Sequence, residues 1–373
     1  MLLSVCMIVK NEAAALPRAL ASLAPLRGHA EVVVVDTGSE DDTVAIARGH
    51  GAVVGTFAWT GDFAAARNAS LARARGRFVL VLDADEALVA ATAPELIATL
   101  EGDAVDALDV TIESVLPGDK LQVHHYLRVF RRYPDVAFHY AIHEQIWPSL
   151  APHAPVVAAS GVRLRHFGYA LDEATLDGKR QRNLEAALRV LEDHPDDGYY
   201  LFHAGLAHLN RGATDDALAW LERALAHTDA GPARAPVLNA IAQAHYDRGD
   251  DRAAEVKIRA SLRTTERQHH AWALLGDLLL RNDRPAEAAD AFTGLLGSRG
   301  PSAIHTDFAP PWALAHLKHG LAALLAGDRD DIAMRALRRA LDLGLDEPHL
   351  SSARRHLARG APPPPDDPQS DIS

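Results

Sequence analysis

The chain has 373 residues, 50 acidic against 38 basic side chains, a formal net charge of −12 and an apolar fraction of 48%. That length exceeds one small core and implies two domains, and the acid excess argues against nucleic acid as the main partner. A single cysteine, Cys6, excludes a disulfide framework, and no apolar run is long enough for a bilayer-spanning helix, so a cytoplasmic protein without a membrane span is expected.

Leu3 to Val9 is an apolar run of strand length. The N-terminus resembles a signal peptide only superficially, because it lacks a basic region and leads into Lys10-Asn11-Glu12. Ala13 to Leu26 has helical spacing, with Pro17 near its start. A second buried strand, Glu31 to Val35, ends in Asp36-Thr-Gly-Ser-Glu-Asp-Asp-Thr43, whose polar residues supply a turn and cap a helix from Thr43 to Gly49. Ala52 to Phe57 reads as a third strand and Phe63 to Arg75 as a helix carrying Arg67-Asn68. Gly76 then delivers the chain into Phe78 to Leu82, an apolar run that stops at Asp83, Asp85 and Glu86. The alternation β-α-β-α-β-α-β with short polar junctions is that of a parallel sheet covered on both faces.

Burying an unpaired carboxylate is expensive, so acids directly after a core strand belong at the sheet edge, facing water, a cation or a ligand. Asp83 and Asp85 lie two apart and can point the same way from extended chain. Two hard oxygen ligands suit Mg2+ or Mn2+, with a diphosphate completing the shell. Alternatively, these acids only cap the helix that follows. Parallel strands bring Asn11, Glu12 and Asp36 to the same edge. Asp36 either accepts from a base N–H or holds its own turn, and Arg67 either meets a phosphate bidentately or sits on a helix surface. Lys10 is solvated at a strand end, and Cys6, in mid-strand, fills core.

Four segments in order, Leu3 to Glu12, Val35 to Thr43, Trp59 to Asn68 and Val81 to Glu86, resemble the motif series of family 2 glycosyltransferases. Within that family they are most similar to the branch with C-terminal tetratricopeptide repeats that includes bacteriocin S-glycosyltransferases of the sublancin type. The resemblance covers about the first half of the chain. It implies a GT-A fold, a UDP-sugar or related nucleotide-sugar donor, and inverting transfer. It would place the donor base against Asp36, Asn11 and Glu12 and the diphosphate near Arg67, with Asp83 and Asp85 as the divalent-metal motif.

From Asp103 to Ala170 the pattern becomes shorter, partly polar strands: Val105 to Val115, Leu121 to Arg131, Ala137 to Ile146 and Val156 to Phe167, with turns at Pro117-Gly118 and Tyr133-Pro134. An antiparallel addition to the first sheet is expected. The branch named above shows groups similar to Arg128-Val-Phe-Arg131, Ile142-His-Glu-Gln145 and Arg165-His-Phe-Gly-Tyr169. Inverting transfer needs a base for the acceptor proton. Glu144, a lone carboxylate that aligns with the His-Glu group, is the candidate, and a salt bridge to Arg128 or Arg131 is its alternative role. His166 could add a third metal ligand or simply be satisfied by core hydrogen bonds. The pairs His124-His125 and His269-His270 lack further ligands at zinc spacing.

After Leu171 the composition turns to Ala, Leu and Arg with helical period. Asp172 to Asp193 reads as one long helix. Self-similarity follows at Leu201-x-x-Ala-Gly205, Leu238-x-x-Ile-Ala242, Trp272-x-x-Leu-Gly276 and His316-x-x-His-Gly320, with small residues (Ala217, Ala254, Ala288, Ile332) and partners (Leu221, Ile258, Phe292, Ala336) further on. This resembles the tetratricopeptide repeat of about 34 residues. The tail from Gly360, with four consecutive prolines, reads as disordered.

The expected organisation is therefore an α/β GT-A domain over 1–170 (a nucleotide-sugar half, 1–102, and an acceptor-side half, 103–170), a linking helix over 171–196, all-α repeats over 197–359 and a tail over 360–373. The expected activity is metal-dependent inverting glycosyl transfer to a peptide, protein or glycan acceptor. Repeat arrays build concave surfaces that grip peptides, buttress a neighbouring domain or mediate self-association, so a homo-oligomer stays open. A non-catalytic repeat adaptor with a nucleotide-binding sheet domain is the alternative. A nucleotidyltransferase would open with a Gly-rich basic loop after strand one, which Lys10-Asn-Glu-Ala-Ala is not.

Overall fold

The computed structural model describes residues 1–116, 120–167, 173–298, 312–327, 330–345 and 347–360. The chain divides into two compact units, Met1–Pro195 and Asp196–Ser373.

The first unit is built on an eight-stranded sheet of order β3-β2-β1-β4-β7-β6-β8-β5. Its strands are β1 (Leu3–Val9), β2 (Ala30–Asp36), β3 (Val53–Thr56), β4 (Phe78–Val81), β5 (Glu86–Leu88), β6 (Ala107–Leu116), β7 (Lys120–Arg131) and β8 (Val157–His166). Between them lie α1 (Leu16–Ser22), α2 (Thr43–Gly49), α3 (Phe63–Leu71), α4 (Ala93–Glu101) and α5 (Trp147–Leu150), and α6 (Glu173–Asp193) follows. The first four strands in the order are parallel, as the alternating pattern implies. At β4 the sheet changes character: β7 joins it antiparallel, followed by the β6–β7 hairpin. The turn expected at Pro117-Gly118 lies outside the described residues.

Strand periodicity explains the core. Along β1, Leu3, Val5, Met7 and Val9 enter one apolar layer with Leu16, Leu20, Leu96 and Leu100 from α1 and α4. Cys6 points to the other face, with Val33, Val79, Val81 and Phe130. Cys6 is buried, and that burial pushes its thiol up to about 12, so it is packing and not a nucleophile.

One expectation fails here, and one strand is unanticipated. Ala137 to Ile146 is not a strand: it keeps one isolated bridge, His139 to Gln145, and turns twice through left-handed backbone at Tyr140 (φ 72°) and His143 (φ 52°). Asn68 holds it instead, donating to the Phe138 carbonyl (2.9 Å) and accepting from the Phe138 amide (2.7 Å). The short β5 also carries too few residues to signal a strand. It exists because β8 pairs with it.

The second unit is helical: α7 (Gly198–Leu209), α8 (Thr214–Ala226), α9 (Arg234–Arg248), α10 (Asp251–Thr264), α11 (His269–Arg281), α12 (Pro285–Gly297), α13 (Trp312–Ala326), α14 (Asp330–Asp342) and α15 (His349–Gly360). The recurring small residues bring paired helices together. A Cβ on Gly205 would meet Leu221 at 2.6 Å, and one on Gly276 would meet Phe292 at 2.5 Å. In the last pair the contact falls on Leu337, next to the expected Ala336. Residues 299–311, which lengthen the spacing before the fourth repeat, and the proline tail after Gly360 lie outside the described residues.

Candidate active site

The parallel strands end at one edge. Val9 and Asp36 are register partners, and the Leu82 amide donates to the Cys6 carbonyl (3.1 Å). The loops after β1 and β2 are stitched together. The Asn11 amide donates to Ser39 Oγ (2.8 Å), and Asn11 Oδ1 accepts from the Glu40 amide (2.8 Å). The Glu12 amide donates to Thr43 Oγ1 (2.7 Å) and the Ala13 amide to Asp41 Oδ2 (3.1 Å). Asn11 sits at φ 55°, a left-handed position that asparagine tolerates better than most residues. Asp36 is buried and holds its own turn, accepting from the Gly38 and Ser39 amides, each at 3.2 Å. The turn role therefore accounts for its carboxylate, and the spare lone pairs of those oxygens remain acceptors.

Arg67 is the centre of the edge. It lies on α3, whose first turn Asp62 caps by accepting from the Ala65 amide (2.9 Å). Only 5% of Arg67 is exposed. Its Nη2 donates to Asp83 Oδ1 (2.5 Å) and its Nε to Glu144 Oε1 (3.1 Å). The Asn68 clamp and the bond from the Phe63 amide to the Ala141 carbonyl (2.8 Å) place the 138–146 loop, and hence Glu144, beside it. The ion pair weighed for Glu144 exists, but its partner is Arg67. Arg131 is taken by Asp103 and Asp106.

Arg128, on β7, donates to Asp83 Oδ2 (3.2 Å) and to Glu86 Oε1 (2.9 Å). Glu86 Oε2 accepts from the Asp83 amide (2.9 Å). Burial opposes the charge of Asp83, but the two guanidiniums outweigh it and hold the carboxyl well below the usual range. Arg67 is held above its ordinary value against its own burial by Asp83 and Glu144. Glu86 goes the other way: its burial prevails over Arg128 and raises its pKa. Among the described residues Arg67 Nη1 is buried with no hydrogen-bond partner. A buried cationic donor left unmade is costly, so this nitrogen could take an anionic oxygen.

Asp85 faces elsewhere. The antiparallel β5–β8 ladder, in which Glu86 partners His166, brings that imidazole to the acid. His166 Nε2 lies 3.2 Å from Asp85 Oδ2, and its Nδ1 lies 3.5 Å from Ser114 Oγ. Burial disfavours the imidazolium, yet Asp85 raises the His166 pKa. Their side chains are 22% and 31% exposed. The structure thus unites Asp85 with His166 and turns Asp83 toward the arginines. Among the described residues no group of three His, Cys, Asp or Glu side chains is arranged to hold a metal ion. Sequence reasoning left Arg128, Glu86 and Ser114 out of the site. The Arg-x-Phe-Arg group and the third acid of the cluster were the available signals for the first two. Ser114 had none, because only strand pairing with β8 brings it there.

Residues 4–154 match the sequence profile of glycosyl transferase family 2, and 171–235 and 239–304 match the tetratricopeptide repeat. A TPR repeat-containing protein of Synechococcus elongatus is 34% identical over 298 residues, covering 77% of this chain and 73% of that protein. Among solved structures, an S. aureus TarS fragment in complex with UDP-GlcNAc is 18% identical, covers 69% of this chain and 90% of its own, and has a TM-score of 0.44. YrrB, described as a TPR protein with an unusual peptide-binding site, is 16% identical, with coverage of 48% and 86% and a TM-score of 0.39. Among the described residues no helix is long and apolar enough to cross a membrane.

Proposed function

We propose that this chain, which belongs to the family joining a glycosyl transferase family 2 domain to tetratricopeptide repeats, transfers a sugar from a UDP-sugar to a peptide, protein or glycan acceptor with inversion. The observation that carries the reading is Arg67, buried between Asp83 and Glu144 with one nitrogen unpartnered at the sheet edge where the Asn11, Glu12 and Asp36 loops also end.

Each residue then has a task. The loops at Asn11, Glu12 and Asp36 frame the nucleotide. Arg67 Nη1 donates to a diphosphate oxygen, and Arg128 keeps Asp83 anionic so that Arg67 stays aligned. Glu144 takes the acceptor proton as the nucleophile bonds to the anomeric carbon. The bond from that carbon to the diphosphate oxygen breaks, and its electron pair leaves with UDP.

Asp85 and His166 fit one Mg2+ or Mn2+ by the chemistry of their donors, a carboxylate oxygen and an imidazole nitrogen side by side and partly exposed. Asp83 does not join them as placed, because both its oxygens accept from guanidinium groups. When bound, such a cation supplies positive charge to the leaving diphosphate.

A thermal-shift panel of nucleotide sugars with Mn2+ tests this, since a ligand of the folded state raises apparent stability. UDP-sugars should shift the transition and release UDP. Asp85→Ala should lower turnover at least about 10³-fold and remove the Mn2+ dependence of UDP binding. An Asp85→Ala protein with unchanged turnover would sink the cation assignment. Absence of any nucleotide-sugar shift would leave the repeat adaptor.

A further inference from the structure

A cavity lies in the first unit, outside the Arg67 cluster. It measures about 290 Å³, and Trp59, Thr60, Phe63, Ile142, Arg182, Asn183 and Arg189 are among its lining. We propose that this cleft binds an acidic peptide segment that carries the acceptor side chain; this rests on the transfer reading above.

Position ties the cleft to the chemistry. Phe63 opens α3 one turn before Arg67, on the same helix face, and Ile142 stands two residues before Glu144. Between them stands the exposed His143, with the Glu144 carboxylate and the Arg182 guanidinium both within electrostatic reach. An occupant of the cleft therefore lies beside the candidate base.

Charge selects the occupant. In a chain of net charge −12, many arginines of this unit find carboxylates, among them Arg67, Arg75, Arg128, Arg131, Arg163 and Arg165, while others such as Arg73 and Arg132 donate to carbonyls. Arg182 and Arg189 form no ion pair among the described residues. Arg182 donates to Asn183 Oδ1 (3.2 Å) and lies 5.3 Å from the centre of the Phe63 ring, and Arg189 donates only to the Glu185 carbonyl (3.3 Å). The Glu185 carboxylate, on the same helix, is engaged by Gln181 (2.9 Å). Two exposed guanidiniums seven residues apart on α6 thus face a lining that contains no acid.

The remaining wall favours peptide over sugar. Trp59 is 36% exposed and packs edge-on against Phe63, with ring centres 4.7 Å apart. Exposed Trp with Arg is the composition of peptide- and protein-binding hot spots. A glycan would ask for carboxylates and amides to accept from and bond its hydroxyls, and the lining holds no carboxylate and a single amide side chain, Asn183. The volume suits one or two peptide side chains.

Fluorescence anisotropy on the full-length protein without donor tests the cleft separately from the chemistry. The probes are labelled nonapeptides with a central Ser, Thr or Cys flanked by two Asp or by two Lys, and a labelled uronic-acid disaccharide. The Asp peptides should bind at least about tenfold tighter than the Lys peptides, and more weakly at high salt. Arg182→Glu/Arg189→Glu should invert that preference, a gain that a misfolded variant cannot give, whereas Arg182→Lys/Arg189→Lys should keep its sign. Equal binding of both peptides, no binding of either, or binding of the disaccharide alone would overturn the proposal. UDP release by the wild-type protein without peptide reports on the transfer reading by itself, so the two can fail independently.

Discussion

Two arginines, one in each unit, hold two carboxylates apiece, and the resemblance ends there. Arg67 bridges Asp83 and Glu144 with its side chain 6% exposed. Arg284 bridges Glu255 and Glu287 with its side chain 37% exposed. In the sheet unit the guanidinium is desolvated, the charges gather at strand ends and one nitrogen is left unpartnered. In the repeat unit they lie along helix surfaces, as with Lys257 on Glu222 or Lys318 on Asp277, while the interior is Ala, Leu and Phe packed against glycine. Equal pair counts therefore carry unequal weight. Burial makes a pair costly to assemble and costly to break, and functional sites are where such clusters gather.

The largest predicted effect comes from removing the buried member. Arg67→Met removes the buried cation shared by the partly exposed Asp83 and Glu144, and should lower stability by about 2–4 kcal/mol in urea unfolding while abolishing turnover. If it instead cost as little as a surface pair, Arg67 would not be the keystone and the contrast would dissolve. Glu144→Gln keeps shape and an oxygen to accept from Arg67 Nε, but cannot take a proton. Its kcat should fall about 10²- to 10³-fold with donor KM changed less than about threefold. A large rise in donor KM would mean that Glu144 acts by holding Arg67 for the diphosphate.

Why some of this was legible and some was not follows from the same physics. Apolar runs that stop at polar residues mark parallel strands locally, so Leu3–Val9, Phe78–Val81 and the Thr43–Gly49 helix are readable without tertiary information. Asp83 and Asp85 are also readable as edge acids. What their neighbours do is not. Arg67 and Glu144 are 77 residues apart, and their contact depends on Asn68 folding a presumed strand into a loop. His166 reaches Asp85 only because β8 recruits a three-residue strand. Both facts are long-range pairings, invisible to periodicity.

On the repeat side the comparable lesion is steric. Gly276→Val sets a branched side chain where a single Cβ already falls 2.5 Å from Phe292, a ring with 0% exposure and nowhere to go. Overpacking of this kind should cost about 1–3 kcal/mol, read as a lower Tm for the repeat transition, with kcat for donor hydrolysis retained. A kcat that fell in step with the Tm would show the sheet site leaning on repeat packing.

The smallest effect is the one that sharpens the comparison most. Arg284 makes contacts of 2.6 Å to Glu255 and 2.7 Å to Glu287, against 2.5 Å and 3.1 Å from Arg67 to Asp83 and Glu144, so distance alone would rank the two sites alike. Both its carboxyls are held below their ordinary values, chiefly by hydrogen bonds from Arg284 itself. Yet water and salt screen a side chain this exposed, and ordering three long side chains costs entropy. Arg284→Ala should therefore change stability by less than about 1 kcal/mol, and a double-mutant cycle with Glu255→Gln should return a coupling of similar size. A coupling above about 2 kcal/mol would mean that contact geometry, not burial, sets the worth of an ion pair in this chain. The same result would remove the physical reason for singling out Arg67.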